Sequence, residues 1–250
     1  MTDHFLKTNT CPPLGPNDVH IWVIDLTLAD AGQVARYRQL LSDGEHARVQ
    51  NFRFATDARA YIITHGVLRI LTSVYLAITP SDISFVSNAC GKPHLAHHLY
   101  QKLPLAFNLS HSADYALIGF TLRYAIGVDV ERKSAPLTEL DDLAQTVFAP
   151  DERRQYFALP ATKRVDAFYA GWSRKEAYIK ATGAGLSAGL ARFSVTLDAD
   201  DVRVTRTEGD TPDVWSLFAL AIDPAYSAAV AIKRRDYTRH LLAYDFGSIL

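Results

Sequence analysis

Two carboxylates separated by one residue, Asp129 and Glu131, are the first candidates for chemistry in this chain. They lie in the segment 126–131, IGVDVE, whose apolar alternation is typical of a β-strand. Side chains two apart on a strand share a face, so the two carboxylates point one way while Val128 and Val130 point the other. Such a pair is favourable when a hard cation with oxygen ligands lies between the two groups. A solvated strand edge would give the same alternation, so the segment by itself leaves both interpretations open.

Glu176 and Lys180 form a second candidate group, together with Trp172, in the sequence WSRKEAYIK. The segment 163–182 is predicted to be helical, and residues four apart then lie on one stripe of the helix. A carboxylate with a cation one turn away suits metal binding combined with proton transfer. A surface glutamate–lysine pair beside a core tryptophan is the alternative, and this segment alone does not distinguish the two.

Ser110 and His111 lie at the end of a predicted strand, in the sequence FNLSHS. Adjacent residues on a strand point to opposite faces, which disfavours a serine–histidine nucleophile pair. The sequence also lacks the G-x-S-x-G elbow of many hydrolases. A hydroxyl and an imidazole both donate hydrogen bonds to phosphate oxygens, so we predict a phosphate contact, with a purely structural histidine as the alternative.

Three further groups give weaker indications. The loop at 90–98 contains one cysteine and three histidines, but their spacing matches no zinc motif. A short glycine-containing segment at 183–186 follows the long helix and is predicted to end it. Three arginines in the first half form either a solvated basic face or a phosphate contact: Arg48, Arg53 and Arg59.

The elements that must position these residues follow from hydrophobic periodicity and helix capping patterns. Helices are predicted at 30–41, from Ser42 onward, and at 57–77, 138–148, 151–158 and 163–182. Strands are predicted at 19–26, 83–86, 105–109, 115–121, 125–131, 191–197, 202–205, 214–221, 227–232 and 241–244. The pattern predicts a two-lobed α+β protein. Residues 1–18 would form a loose N-terminal tail, 19–122 the N-terminal lobe and 123–250 the C-terminal lobe.

The composition limits the class of protein. The chain has 250 residues, of which 48% are hydrophobic and 21% charged, and its net charge is -1. This balance gives no case for nucleic acid or membrane surfaces as partners. The N-terminal segment lacks the pattern of a secretory signal, and no apolar run reaches the length of a membrane span. The two cysteines match no metal or redox motif, so we expect a reducing, cytoplasmic location.

Four of these segments, taken in chain order, resemble the 4'-phosphopantetheinyl transferase superfamily, surfactin-synthetase-activating (Sfp-like) type. They are GKP at 91–93, NLSHS at 108–112, GVDVE at 127–131 and WSRKEAYIK at 172–180. The similarity covers roughly residues 42–193. It implies two similar lobes related by pseudo-twofold symmetry, each a long helix packed on a small, mainly antiparallel sheet. It also implies a monomer, because this branch of the family builds its site within one chain.

The resemblance further implies an activity, which is transfer of the 4'-phosphopantetheine arm of coenzyme A to a serine of an apo acyl or peptidyl carrier protein, with release of 3',5'-ADP. Asp129, Glu131 and Glu176 match the family's Mg²⁺ ligands, and Mn²⁺ is able to substitute. Glu176 also matches the general base, and Lys180 would stabilise the pyrophosphate or the leaving phosphate. The residues that would contact coenzyme A are Arg48, Arg53, Arg59, Gly91, Lys92, Pro93, Ser110, His111 and Lys175.

One departure and two alternatives accompany the resemblance. Glu45 and Thr56 stand where relatives have cations, so the contacts to the 3'-phosphate are expected to differ. The chain could instead be a binding module for coenzyme A or carrier proteins that has lost its activity, although all three carboxylates and Lys180 are present. It could also be a metal-dependent phosphohydrolase that uses water in place of the carrier serine.

Overall fold

In the computed structural model, residues 3, 5–8, 10–185 and 189–247 are described. The first part of the chain forms β1 (Leu6–Thr8), β2 (Asp18–Asp25), α1 (Ala31–Leu40), α2 (Asp43–Gln50), α3 (Ala55–Leu76), β3 (Phe85–Ser87), β4 (Pro93–Leu95), α4 (His97–Lys102), β5 (Leu105–Ser112) and β6 (Tyr115–Leu122). The second part forms β7 (Ile126–Arg132), α5 (Leu137–Val147), α6 (Pro150–Ala158), α7 (Ala161–Thr182), β8 (Ser194–Val195), β9 (Val204–Arg206), β10 (Ser216–Leu220), β11 (Tyr226–Ile232) and β12 (Thr238–Tyr244).

These elements divide into two compact units. The first unit comprises the described residues within 4–86, 93–123 and 238–250, and the second those within 1–3, 87–92 and 124–237. Each unit contains a 22-residue helix and a main sheet, which is mixed in the first unit and antiparallel in the second. The α+β class is therefore as predicted. None of the helices in the described part of the chain combines the length and apolar character that crossing a membrane requires.

The first unit is built on a five-stranded sheet in the order β1-β12-β2-β6-β5. β12 runs parallel to both of its neighbours, β1 and β2, whereas β2, β6 and β5 are antiparallel to one another. Helix α3 packs its buried residues, among them Ile63, Val67 and Leu68, into the same hydrophobic core as Trp22 and Phe120 of the sheet. This core removes a large apolar surface from water and holds the unit together.

The helix starts of the first unit confirm the capping patterns in the sequence. The side chain of Asp30 accepts a hydrogen bond from the backbone N–H of Gln33 at the start of α1, and Ser42 does the same with Glu45 at the start of α2. In both cases the side chain of the third helical residue also accepts a hydrogen bond from the backbone N–H of the capping residue. The two bonds together satisfy two amide groups that would otherwise be unpaired at the start of the helix. Helix α3 ends at Ala77, which adopts a left-handed conformation with φ of 52°.

The second unit is built on the antiparallel sheet β10-β11-β7, which packs against helix α7. Ala177 and Ala181 of α7 lie in one core with Ala229 and Ala231 of β11, so small residues on both sides allow a close approach. A second cluster joins α7 to the segment after α5 and to α6, through Phe148, Tyr156 and Phe168. Helix α7 ends at Gly183, which has φ of 71° as its predicted role requires, while Leu186 lies outside the described residues.

In addition to β4 and the start of α4, which occupy the predicted loop at 90–98, the structure differs from the sequence prediction in the following three places. Residues 6–8, expected in a loose tail, form strand β1 beside β12. Strand β12, expected with the second half of the chain, completes the sheet of the first unit. The predicted strand at 191–197 begins instead with a 3-10 turn, Leu190–Arg192, and only Ser194–Val195 pair as a strand. The first two differences depend on pairing between distant segments, which local periodicity does not report.

Candidate active site

The carboxylates of β7 lie on the face of the strand that carries Gly127. Asp129 is 1% exposed, and Glu131 is partly exposed nearer the end of the strand. Val128 and Val130, which alternate with them, are fully buried. Because Gly127, Asp129 and Glu131 are spaced by two, they share one face of the strand, which is the face that helix α7 approaches.

Gly127 sets the distance between strand and helix. A β-carbon at this position would collide with the carbonyl oxygen of Ala177 and the amide nitrogen of Ala181 in α7. Only glycine therefore lets the backbone of α7 lie directly on β7. The close approach brings Lys180, one residue before Ala181, to the strand position two residues after Gly127.

Lys180 and Asp129 form an ion pair at this crossing. The Lys180 Nζ lies 2.6 Å from Asp129 Oδ1, and the lysine side chain is 28% exposed whereas the aspartate is almost completely buried. The lysine therefore stands between the aspartate and solvent. Trp172, two turns earlier on the predicted stripe, stacks on Phe168 and contributes to the core, which was the simpler alternative for that residue.

Glu176 lies one turn before Lys180 and is 8% exposed. Burial raises the pKa of Glu176 to about 7, the charges of Asp129 and Glu131 act in the same direction, and Lys180 opposes them. The Glu176 Oε1 atom is buried without a hydrogen-bond partner among the described residues. A third carboxylate held near two others, with an oxygen that none of the described groups satisfies, fits a hard divalent cation with oxygen ligands. The residues present therefore suit Mg²⁺.

Lys175 is placed differently from its predicted role in coenzyme A binding. Its ammonium group is fully buried, lies 2.7 Å from Glu152 Oε2, and donates a 2.7 Å hydrogen bond to the carbonyl oxygen of Phe193. Burial lowers the pKa of Lys175, and the negative charge of Glu152 opposes this shift. Lys175 thus fastens α7 to α6 and to the start of β8, inside the protein.

Lys92 ends a tight turn in which Gly91 has φ of 82°. The Lys92 Nζ donates to the carbonyl oxygens of Ile126, at 3.0 Å, and Lys180, at 2.5 Å. Burial lowers the pKa of Lys92 to about 8. A cation on the last carbonyls of a helix also interacts favourably with the helix dipole. The turn before Pro93 is therefore fastened beside the first residue of β7 and the last turn of α7.

Ser110 and His111 both lie in β5, as predicted, and consequently on opposite faces of the sheet. Ser110 is buried and His111 is exposed. This placement agrees with the argument against a nucleophile pair. The contact of these two residues with phosphates remains a prediction.

The three arginines of the first unit are not equivalent. Arg48 and Arg53 are exposed and lie over the rings of Tyr61 and Phe54, respectively. Arg59 donates hydrogen bonds to the carbonyl oxygens of Leu26 and Ala29, at 2.8 and 2.6 Å. Arg59 is therefore used to hold the chain between β2 and α1.

Glu45, noted in the sequence for replacing a cation, belongs to a buried polar cluster that sequence reasoning missed. Its carboxylate binds Arg69 Nη2 at 2.7 Å and His65 Nδ1 at 3.0 Å, and the Tyr61 ring stacks on His65. Burial would raise the pKa of Glu45, but hydrogen bonds from His65 and Ser42 and the charge of Arg69 lower it to about 2. The one indication of this cluster in the sequence is that Tyr61, His65 and Arg69 are spaced by four and so share one face of a helix.

Two family models match separate parts of the chain. The model of the family described as "4'-phosphopantetheinyl transferase superfamily" matches residues 125–231, and the model described as "4'-phosphopantetheinyl transferase, N-terminal" matches residues 30–121. Among solved structures, a holo-(acyl-carrier-protein) synthase from Bacillus anthracis str. Ames in complex with CoA (3',5'-ADP) is 20% identical, covering 44% of this chain and 95% of that chain, with a TM-score of 0.36.

Curated relatives are similar over most of their length. The 4'-phosphopantetheinyl transferase HetI of Nostoc sp. strain PCC 7120 is 33% identical over 86% of this chain and 88% of its own. The 4'-phosphopantetheinyl transferase Sfp of Bacillus subtilis strain 168 is 28% identical over 86% of this chain and 92% of its own. The L-aminoadipate-semialdehyde dehydrogenase-phosphopantetheinyl transferase of Homo sapiens is 30% identical over 78% of this chain and 68% of its own. The chain belongs to the 4'-phosphopantetheinyl transferase superfamily and is of the Sfp-like type.

Proposed function

We propose that the protein transfers the 4'-phosphopantetheine arm of coenzyme A to a serine hydroxyl of an apo acyl or peptidyl carrier protein. The serine oxygen forms a bond to the phosphorus nearer the pantetheine arm. The bond from that phosphorus to the bridging oxygen of the pyrophosphate breaks, and 3',5'-ADP leaves with the electron pair. The observation that carries the proposal is the convergence of Glu176, Asp129 and Lys180 where α7 crosses β7.

We assign Asp129, Glu131 and Glu176 to the binding of Mg²⁺, for which Mn²⁺ can substitute. When bound, the metal neutralises charge on the pyrophosphate oxygens and so lowers the barrier to attack on phosphorus. Glu176 accepts the proton of the serine hydroxyl, either directly or through water. Its raised pKa supports this role, because a base with a pKa near the working pH balances proton affinity against the fraction ionised.

Lys180 stabilises the negative charge of the pyrophosphate and of the leaving 3',5'-ADP. Its partial exposure supports this role, because the side chain has solvent on one side and Asp129 on the other. A fixed cation close to the developing charge acts without reorganisation during the reaction.

For coenzyme A we retain the assignments to Ser110, His111, Arg48, Arg53 and the segment 91–93. We do not extend the proposal to Lys175 and Arg59, because their donors already bond to groups within the protein. Lys92 is better assigned to positioning the turn at 91–93 than to binding a phosphate, since it donates to two backbone carbonyls.

We also propose that the enzyme acts as a monomer, since the three carboxylates and Lys180 all come from one compact unit of one chain. A reducing, cytoplasmic location is the matching proposal, in line with the free thiols of Cys11 and Cys90. Size-exclusion chromatography with light scattering tests the first of these statements, and fractionation of the source cells tests the second.

The decisive experiment incubates the purified protein with apo carrier protein, coenzyme A and Mg²⁺ and measures the intact mass of the carrier. We expect the gain of one phosphopantetheine, which EDTA abolishes. Glu176→Gln and Asp129→Asn should each lower the rate more than about 100-fold. Glu139→Gln and Asp142→Asn, which change exposed carboxylates of α5, are matched controls and should transfer at the normal rate.

The same experiment separates the alternatives. Coenzyme A binding without any gain of mass, across several carrier types, would favour a binding module. Release of 3',5'-ADP from coenzyme A in the absence of a carrier, at the rate seen with one, would favour a phosphohydrolase. Either result would overturn the transferase proposal.

A further inference from the structure

The first unit contains a group of metal-ligating side chains that is separate from the carboxylates of β7. Asp18 and His20 lie on β2, and His240 lies on the neighbouring parallel strand β12. In the strand register His240 is opposite His20, and Thr238 is opposite Asp18. Residues two apart share a face, so the three ligating side chains project from the same face of the sheet. One oxygen or nitrogen atom from each lies within 4.8 Å of the others.

Each of the two imidazoles has a buried ring nitrogen that no group in the described part of the chain satisfies. His20 is completely buried, and its Nε2 has no hydrogen-bond partner among the described residues. The Nε2 of His240 is likewise buried without a hydrogen bond, although it lies 3.4 Å from Asp18 Oδ1. Buried polar atoms are nearly always paired, so two unsatisfied nitrogens facing one carboxylate indicate a missing partner.

The surrounding groups fix the orientation of the ligands. His20 Nδ1 is 2.8 Å from the Tyr75 hydroxyl, which also accepts a hydrogen bond from Trp22 Nε1. When Nδ1 donates to Tyr75, His20 Nε2 carries the lone pair that a metal ion requires, as is usual for a metal-bound histidine. Asp18 Oδ2 accepts a hydrogen bond from the Gly15 amide at 2.8 Å, which leaves Oδ1 to face His240.

We propose that Asp18 Oδ1, His20 Nε2 and His240 Nε2 form a binding site for a divalent transition-metal ion, of which Zn²⁺ is the best fit. Two imidazoles and one carboxylate, with a fourth position open to water, are a common zinc ligand set. Bonds of about 2.0–2.1 Å in a tetrahedron place neighbouring ligand atoms about 3.3 Å apart. The separation of His240 and Asp18 is already 3.4 Å, so a modest approach of the third ligand completes the site.

The site would join two segments that are far apart in sequence. His240 lies in β12, and the other two ligands lie in β2, more than 200 residues earlier. An ion that binds all three therefore stabilises the folded chain over the unfolded one, in which the ligands are separated. The site uses none of the residues assigned to transfer, so the test of zinc binding does not depend on whether the proposed function is correct.

The test is a titration of untagged, metal-free protein with Zn²⁺ by isothermal calorimetry, in excess Mg²⁺ so that the carboxylates of β7 are saturated. We expect one Zn²⁺ per chain, and a rise in the thermal unfolding midpoint on binding. His240→Ala and Asp18→Asn should weaken the affinity more than about tenfold. Both side chains are partly exposed, so these variants should fold, which circular dichroism checks.

Two comparisons make the outcome decisive. His98→Ala removes an exposed histidine outside the site and should leave the titration unchanged. Co²⁺ in place of Zn²⁺ should give the intense visible absorption of a four-coordinate ion in the wild type and not in His240→Ala. Equal zinc affinity in the wild type and both site variants would overturn the proposal, as would the absence of any titratable zinc in excess Mg²⁺.

Discussion

The Lys180 ammonium group lies 2.6 Å from Asp129 and covers a carboxylate that is otherwise buried. A buried aspartate with one cationic partner is well placed to exchange that partner for a metal ion, because either one balances its charge. In the proposed reaction, Lys180 would then be released toward the pyrophosphate. The pair therefore links the resting arrangement of the site with the arrangement that acts on the substrate.

Replacing Lys180 tests this link. Lys180→Ala should lower the rate of transfer about 100-fold, while affinity for the carrier protein stays near that of the wild type. Single-turnover kinetics measures the rate, and surface plasmon resonance measures the affinity. Lys163→Ala, which changes an exposed lysine on the same helix, is the control. An unchanged rate in Lys180→Ala would remove this residue from the mechanism.

The lack of space at Gly127 allows a prediction about protein stability. Gly127→Ala should destabilise the protein by at least about 2 kcal/mol, because the added methyl group collides with the backbone of α7 rather than with a flexible side chain. Urea unfolding measures the difference. Gly44→Ala is a matched change in α2, where an added β-carbon meets nothing within 4 Å, and it should be neutral or slightly stabilising. Equal stability of the two variants would contradict the close approach of helix and strand.

Because Lys175 and Glu152 form a buried ion pair, we expect substitutions at these two residues to have non-additive effects on the free energy of unfolding. Lys175→Met alone should destabilise the protein by about 3–5 kcal/mol, since it leaves a buried carboxylate without its cation. The double variant with Glu152→Gln should recover part of this loss. Its KM for coenzyme A should stay within a few-fold of the wild type. A large rise in KM in the stable double variant would restore Lys175 to the binding of coenzyme A.

Glu176 predicts how stability depends on pH. Its pKa in the folded protein is about 7, above the ordinary value of 4.5, so the folded state binds the additional proton between these values. Its contribution to stability is therefore fully present below pH 4.5 and is lost as the pH rises through about 7.

In EDTA, the free energy of unfolding of the wild type should fall across this window relative to Glu176→Gln, which cannot ionise. Adding Mg²⁺ should remove the difference, because the metal binds the ionised carboxylate. Chemical unfolding at several pH values, with and without Mg²⁺, measures both effects. Parallel curves for the two proteins in EDTA would show that the Glu176 pKa is not raised.

Much of the site followed from local sequence patterns. Strand alternation placed Asp129 and Glu131 on one face, and the helical spacing of four placed Glu176 and Lys180 on one stripe. The same helical geometry would have separated Lys175 from Glu176, because adjacent helical residues are rotated by about 100°. The separation of these two side chains was therefore predictable from helical periodicity alone.

Other features could not follow from local patterns. The ion pair of Glu45 with Arg69 and the grouping of Asp18 with His240 depend on contacts between elements distant in the chain. The role of Gly127 depends on where α7 packs, since a glycine in a strand has several common explanations. These features are fixed by tertiary packing, and a single sequence does not display it.

The position of β12 also sets the order in which the protein can be made. Residues 238–244 form the strand between β1 and β2, so a chain emerging from the ribosome cannot complete the first sheet until these late residues have been synthesised. The sheet of the second unit, by contrast, is fully encoded once Ile232 has been added. The sheet of the first unit is therefore the last to be fully encoded, and until then the edge of β2 that β12 will cover is an unpaired strand edge.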